Sequence, residues 1–156
     1  MRLYFLRHGL ADRAAWHGPD ALRPLTPRGV ERMQAEAHTL AAMGFAPDAI
    51  RTSPLQRALQ SAEIIAQALG TPLQVEPRLA PGFGLPALHA ILQETRESSS
   101  LLLVGHEPDF STTIGALIGG GRVVCKKGSL ARVDLYNLNP PRGSLVWLLP
   151  PKVLAR

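Results

Sequence analysis

A chain of 156 residues, 46% of them apolar, can close one hydrophobic core and is short for two, so a single domain over residues 1–156 is expected. The net charge of +5 comes mainly from arginine and suits anionic ligands, while no basic run, aromatic–basic interleaving or zinc-ligand spacing points to nucleic acid. One cysteine, Cys125, excludes an intramolecular disulfide and fits a reducing cytoplasm, and no apolar stretch has the length of a signal peptide or membrane span, so no membrane partner is expected.

Residues 1–6 place Leu3, Tyr4, Phe5 and Leu6 in succession, as in a parallel strand covered on both faces. The strand runs into Arg7-His8-Gly9. Ligands of open α/β sheets bind beyond the carboxyl ends of such strands, so Arg7 and His8 stand where chemistry is expected, with Gly9 allowing close backbone approach. Residues 11–24 form a polar loop of unusual length, a feature often tied to function. Thr26-Pro27 then reads as an N-cap and first helical residue. The helix reaches about Met43 on a stripe of Val30, Met33, Ala37, Leu40 and Ala41, and Gly44 closes it.

A short strand around Ala49-Ile50 precedes Thr52-Ser53-Pro54-Leu55-Gln56-Arg57-Ala58, where Ser53 reads as an N-cap and Pro54 as the start of a helix to Leu69, capped by Gly70. Arg57 falls in its first turn, where the helix dipole disfavours a cation. Beside free amides it makes an anion site; a surface pairing with Glu63 is the plainer alternative. A short strand over residues 73–75, a proline-rich loop over 77–86 and a helix over 85–97 follow. Leu101-Leu102-Leu103-Val104 is a second fully apolar strand, and it runs into Gly105-His106-Glu107-Pro108. If the two apolar strands are parallel neighbours, their ends lie roughly 5–10 Å apart and His8, His106 and Arg7 can face one ligand. Asp109 or Ser111 caps a helix to about Ile118. Cys125-Lys126-Lys127-Gly128 is a basic turn, its lysines read as solvated, the alternative being that one of them reaches an acidic or phosphorylated substrate. Residues 130–138 alternate as an exposed or antiparallel strand. Pro140-Pro141-Arg142-Gly143 is a turn before a last strand over 144–149 and a loose tail.

Arg7, His8, Arg57 and His106 thus collect at strand ends and a helix start, with no carboxylate cluster of metal-ligand type. Arginine grips phosphoryl oxygens bidentately and keeps its charge. A histidine among arginines is held neutral, as a nucleophile must be, and a second histidine can donate to phosphoryl oxygens. His38 and His89 lie in predicted helices and read as surface residues, and His17 sits in the first loop.

Leu6-Arg7-His8-Gly9, residues 52–58 and Val104-Gly105-His106 resemble, in order, three signatures of the histidine phosphatase (phosphoglycerate mutase-like) superfamily. Arg23-Pro24-Leu25-Thr26-Pro27-Arg28-Gly29, the short chain and Gly105-His106-Glu107-Pro108 resemble its SixA-type phosphohistidine phosphatase branch. The resemblance implies an α/β/α three-layer fold with a mainly parallel sheet and at least one antiparallel strand. It implies hydrolysis through a phosphorylated His8, with Arg7, Arg57 and His106 completing a phosphate pocket supported by Gly9 and Ser53. No metal or other cofactor is implied. The partner is a phosphorylated substrate, a phosphohistidine-bearing protein being the leading candidate. A phosphomonoesterase or mutase of a small metabolite is the alternative, and a non-catalytic phosphate-binding module a more distant one. A phosphate ester needs a general acid for its alkoxide. Residues 78–84, the region from which many members of the superfamily supply that acid, hold no carboxylate, and Glu76 precedes them on or near the strand. Glu107 follows His106 where the acid-phosphatase branch has its aspartate, so the resemblance implies Glu107 as a possible acid, while an imidazole leaving group tolerates its absence.

Overall fold

The computed structural model describes all 156 residues. Six strands form one sheet: β1 (Arg2–Arg7), β2 (Ala49–Thr52), β3 (Leu73–Val75), β4 (Ser100–Gly105), β5 (Leu130–Leu138) and β6 (Pro141–Leu149), in the spatial order β3-β2-β4-β1-β5-β6. The pairs β3–β2, β2–β4 and β4–β1 are parallel, while β5 is antiparallel to both β1 and β6, so β5 alone runs against the other five. The helices are α1 (Pro27–Ala42), α2 (Gln56–Leu69), α3 (Leu85–Glu94), α4 (Asp109–Leu117) and α5 (Pro151–Leu154). The expected α/β class and mainly parallel sheet are what the structure has.

The unbroken apolar runs of β1 and β4 have a direct cause. Leu3, Phe5, Leu101 and Leu103 point to one face, into a core shared with α3 and α4. Tyr4, Leu6, Leu102 and Val104 point to the other, into a core shared with α1, α2 and the buried Leu154 of α5. Both central strands are covered on both sides, so neither face can be polar. At the start of α1, Thr26 Oγ1 accepts from Gly29 N at 2.9 Å, as the Thr-Pro pattern requires. A β-carbon on Gly29 would collide with the carbonyl of Leu10, so glycine here lets α1 press against the segment that follows β1.

Three expectations are corrected, and the open reading of residues 130–138 is decided. The α2 helix starts at Gln56 rather than Pro54, and Ser53 is not its cap. The β hairpin turns at Asn139-Pro140, and β6 already begins at Pro141, a strand position that loses nothing by lacking an N–H. The β5 strand is antiparallel but not exposed: it lies between β1 and β6, with Ala131 and Val133 in the core. The tail is not loose. Pro151 opens α5, and Leu154 is fully buried beneath it.

Candidate active site

The β1 and β4 strands are hydrogen-bonded neighbours with Arg7 opposite Gly105, so two histidines leave adjacent strand ends together. The rings of His8 and His106 lie 5.2 Å apart between centroids. Next in the sheet beyond β4, β2 delivers Ser53 and then α2, whose first turn carries Arg57. Arg7, His8, Arg57, His106 and Glu107 line one polar cleft of about 410 Å³.

Two hydrogen bonds define the state of His8. Its Nδ1 is 2.7 Å from the Gly9 carbonyl, which can only accept, so Nδ1 carries the proton. Its Nε2 receives the Arg57 Nε–H at 3.3 Å, so Nε2 holds a lone pair. Burial, with the nearby His106, Arg57 and Arg7, pushes the His8 pKa down to about 3 against the opposing pull of the Gly9 carbonyl. Burial and Arg57 push His106 down to about 4. Both rings are therefore neutral at pH 7. A competing thiol nucleophile is suppressed: burial pushes the Cys125 pKa up to about 12.

The second histidine is anchored by Ser53, whose Oγ lies 2.7 Å from His106 Nε2 and also accepts from Leu55 N at 3.2 Å. His106 Nδ1 and Arg7 Nε are buried without a partner inside the protein, while Arg7 Nη1 donates to the Cys125 carbonyl at 2.9 Å. Donor capacity on both Arg7 and His106 is thus left for an oxyanion in the cleft. Ser61, deep in α2, donates to the Arg57 carbonyl at 2.7 Å and accepts from Gly9 N at 3.1 Å. That single hydroxyl couples the strand end bearing His8 to the helix bearing Arg57.

The long first loop folds over this cleft. Arg23 is buried and donates to the Ala11 carbonyl at 2.7 Å, which closes the loop on itself. Asp20, in a 3-10 turn, accepts from Arg57 Nη2 at 3.2 Å and from Arg23 Nε at 3.1 Å. Burial pushes its carboxyl up, but the two arginines hold it below the usual range. Glu107 is tied as well: Oε1 accepts from Ser111 N at 2.9 Å and Oε2 from Ser111 Oγ at 2.6 Å. It does the capping of α4 that the sequence pattern assigned to Asp109 or Ser111. Asp109 instead accepts from Gly82 N at 2.8 Å.

Residues 3–82 match the family model described as histidine phosphatase superfamily (branch 1), a span that includes Arg7, His8 and Arg57. The chain belongs to the histidine phosphatase superfamily. It is 37% identical to an uncharacterized protein of Picosynechococcus sp. over 96% of its own length and 100% of the relative's. To phosphohistidine phosphatase SixA of Escherichia coli it is 30% identical, over 77% of this chain and 76% of that one. The structure of the protein histidine phosphatase SixA complexed with tungstate superposes with a TM-score of 0.87 at 26% identity, covering 99% of each chain. The molecule is accordingly a phosphatase of this superfamily.

Of the site residues named from sequence, the histidine phosphatase fold brings Arg7, His8, Arg57, His106 and Glu107 to the cleft. Ser53 sits behind His106 rather than at the surface of the cleft. Gly9 faces the other way: a β-carbon there would meet Met33 and Leu25 at 3.2 and 3.3 Å, so its smallness serves packing against α1. Lys127 reaches the cleft rim, whereas His17 and His38 are exposed and do not line it. Asp20 and Ser61 escaped the sequence reading, and Arg23 entered it only as part of the stretch 23–29, with no role at the site. Only the length of the first loop signalled Asp20, and a serine at mid-helix carries no signal of its own.

Proposed function

We propose that this phosphatase hydrolyses the N–P bond of phosphohistidine through a phosphoryl group carried on His8. The observation that carries the reading is the His8 tautomer, with its proton on Nδ1 and an available lone pair on Nε2 beside the Arg57 guanidinium. In the first step Nε2 bonds to phosphorus as the bond from phosphorus to the substrate imidazole breaks. That imidazole, protonated on its other nitrogen from solvent, leaves neutral with the bonding pair. Phosphorylated His8 then has the same electronic form, a ring protonated at Nδ1 toward the Gly9 carbonyl. A water bonds to phosphorus, His8 leaves neutral with the pair, and inorganic phosphate forms with the water's oxygen. Arg7 and Arg57 hold the phosphoryl oxygens in both steps. Ser53, accepting from Leu55 N, gives its own proton to His106 Nε2, which leaves His106 Nδ1–H to donate to the same oxygens.

Neither step needs a general acid from the protein, and the cleft offers none that is free. Asp20 is held ionised by Arg23 and Arg57, and Glu107 spends both oxygens on Ser111. An alkyl ester must expel an alkoxide and has no such escape. The expected order of kcat/KM is phosphohistidine peptide first, aryl phosphate of an acidic phenol next, sugar phosphate last. Glu107→Gln is expected to stay within about twofold of wild type on the N–P substrate. A sugar phosphate turned over as well as the N–P substrate, with a large loss in Glu107→Gln, would instead identify a small-metabolite phosphomonoesterase.

A further inference from the structure

A second cavity of about 480 Å³ adjoins the catalytic cleft and shares Arg7 and Lys127 with it. Its remaining cations are Arg32 from α1, Lys126 from the turn before β5 and Lys152 from α5. Five cations line this groove and no carboxylate does. The ion pairs of the molecule lie elsewhere: Arg23 and Arg57 pair with Asp20, Arg78 with Glu76 and Glu94, and Arg132 with Asp134. Arg32, Lys126, Lys127 and Lys152 enter no salt bridge. Glu36 lies one turn along α1 from Arg32 and feels its charge, but burial pushes its pKa up to about 8, so it does not offset the cluster at neutral pH. Burial, and after it the charges of Arg7 and Arg23, lower the Lys127 pKa.

Three separate elements have brought like charges together beside the site. Such a cluster is costly to the free protein and favourable only when an anion enters it. Lysine heads are mobile point charges that accept carboxylates at many angles, unlike the fixed arginine fork that the cleft uses for phosphoryl oxygens. No aromatic side chain lines the groove, so it lacks the stacking surface on which nucleotide bases rest. We propose that this groove, centred on Arg32, Lys126 and Lys152, is a docking subsite for carboxylates flanking the phosphohistidine of an acidic protein segment. The proposal rests on the N–P reading above and adds what selects the substrate.

The probes are two phosphohistidine peptides of equal length, one with glutamates on both sides of the phosphorylated residue and one with glutamines. At low ionic strength wild type is expected to favour the glutamate peptide in kcat/KM by about tenfold, mainly through KM, with the preference fading at about 0.5 M salt. The triple variant R32E/K126E/K152E is expected to lose that preference while cleaving the glutamine peptide within about twofold of wild type, which also certifies its fold. Equal cleavage of both peptides by wild type would overturn the docking subsite and leave the N–P reading standing. Failure to cleave either peptide, with an aryl phosphate still hydrolysed, would overturn both.

Discussion

Arg57 occupies the first turn of α2, where a cation works against the helix dipole, and the structure shows what it gains there. Its Nε reaches His8, its Nη1 donates to the Asp20 backbone carbonyl, and its Nη2 donates to the half-exposed Asp20 carboxylate, which is able to yield that nitrogen to a phosphoryl group. Arg57→Lys keeps the charge and loses the fork. The expected loss in kcat/KM is about 2–4 kcal/mol, comparable to removing an oxyanion donor, while Arg96→Lys, exposed and remote, should change nothing. Near-wild-type kinetics in Arg57→Lys would reduce the residue to a surface cation. At this scale the sequence was readable where a residue's place follows from its own element. Arg7, His8 and His106 stand at the ends of apolar strands, and Arg57 breaks a local rule. Asp20, Arg23 and Ser61 depend on how a loop crosses the sheet or on which turn of a helix faces it, and neither follows from local pattern.

Among the elements, β1 and β4 were legible because burial on both faces forces a continuous apolar run, and their adjacency then places the two histidines side by side. Helices α1 and α2 announced themselves through Thr26-Pro27 and through Gly70, which takes a left-handed φ of 64° as its position after α2 demands. The α5 helix was hidden, since Pro150-Pro151 reads as a breaker and four residues are too few for a period. Its worth is in packing: Leu154 is fully buried against the α1 and α2 face of the sheet, and the same turn carries Lys152 to the basic groove. Leu154→Ala is expected to cost about 2–5 kcal/mol in chemical denaturation. Turnover of a small aryl phosphate by the fraction still folded should persist, because Leu154 lies outside the cleft. A loss below about 0.5 kcal/mol would mean that α5 is not part of the core.

For the whole molecule, three buried titratable groups with large shifts bend the pH profile of stability. His8 and His106 have folded pKa values near 3 and 4, below the ordinary 6.5, so their contribution is intact above pH 6.5 and is lost as the pH falls toward those values. Glu36 behaves in the opposite sense. Burial raises its pKa from 4.5 to about 8, so its contribution is full below pH 4.5 and is lost as the pH rises through 8. The α1 stripe read from sequence set Ala41 inside and passed over Glu36, whereas the helix exposes Ala41 and buries Glu36 with Oε2 unpartnered. Glu36→Gln should raise the melting temperature at pH 9 by roughly 2–4 °C for each kcal/mol relieved, and far less at pH 5. Parallel profiles for variant and wild type would show that Glu36 does not titrate with folding. The two histidines that tilt this profile also have to be neutral for the chemistry, and the direct test of that chemistry is the fate of the phosphoryl group. Rapid mixing with a phosphoramidate, quenching in base and measuring intact mass should reveal one added phosphoryl group that maps to His8, survives base and is lost in acid. Labelling that persists in His8→Ala, or that resists acid as a phosphoserine does, would contradict the account.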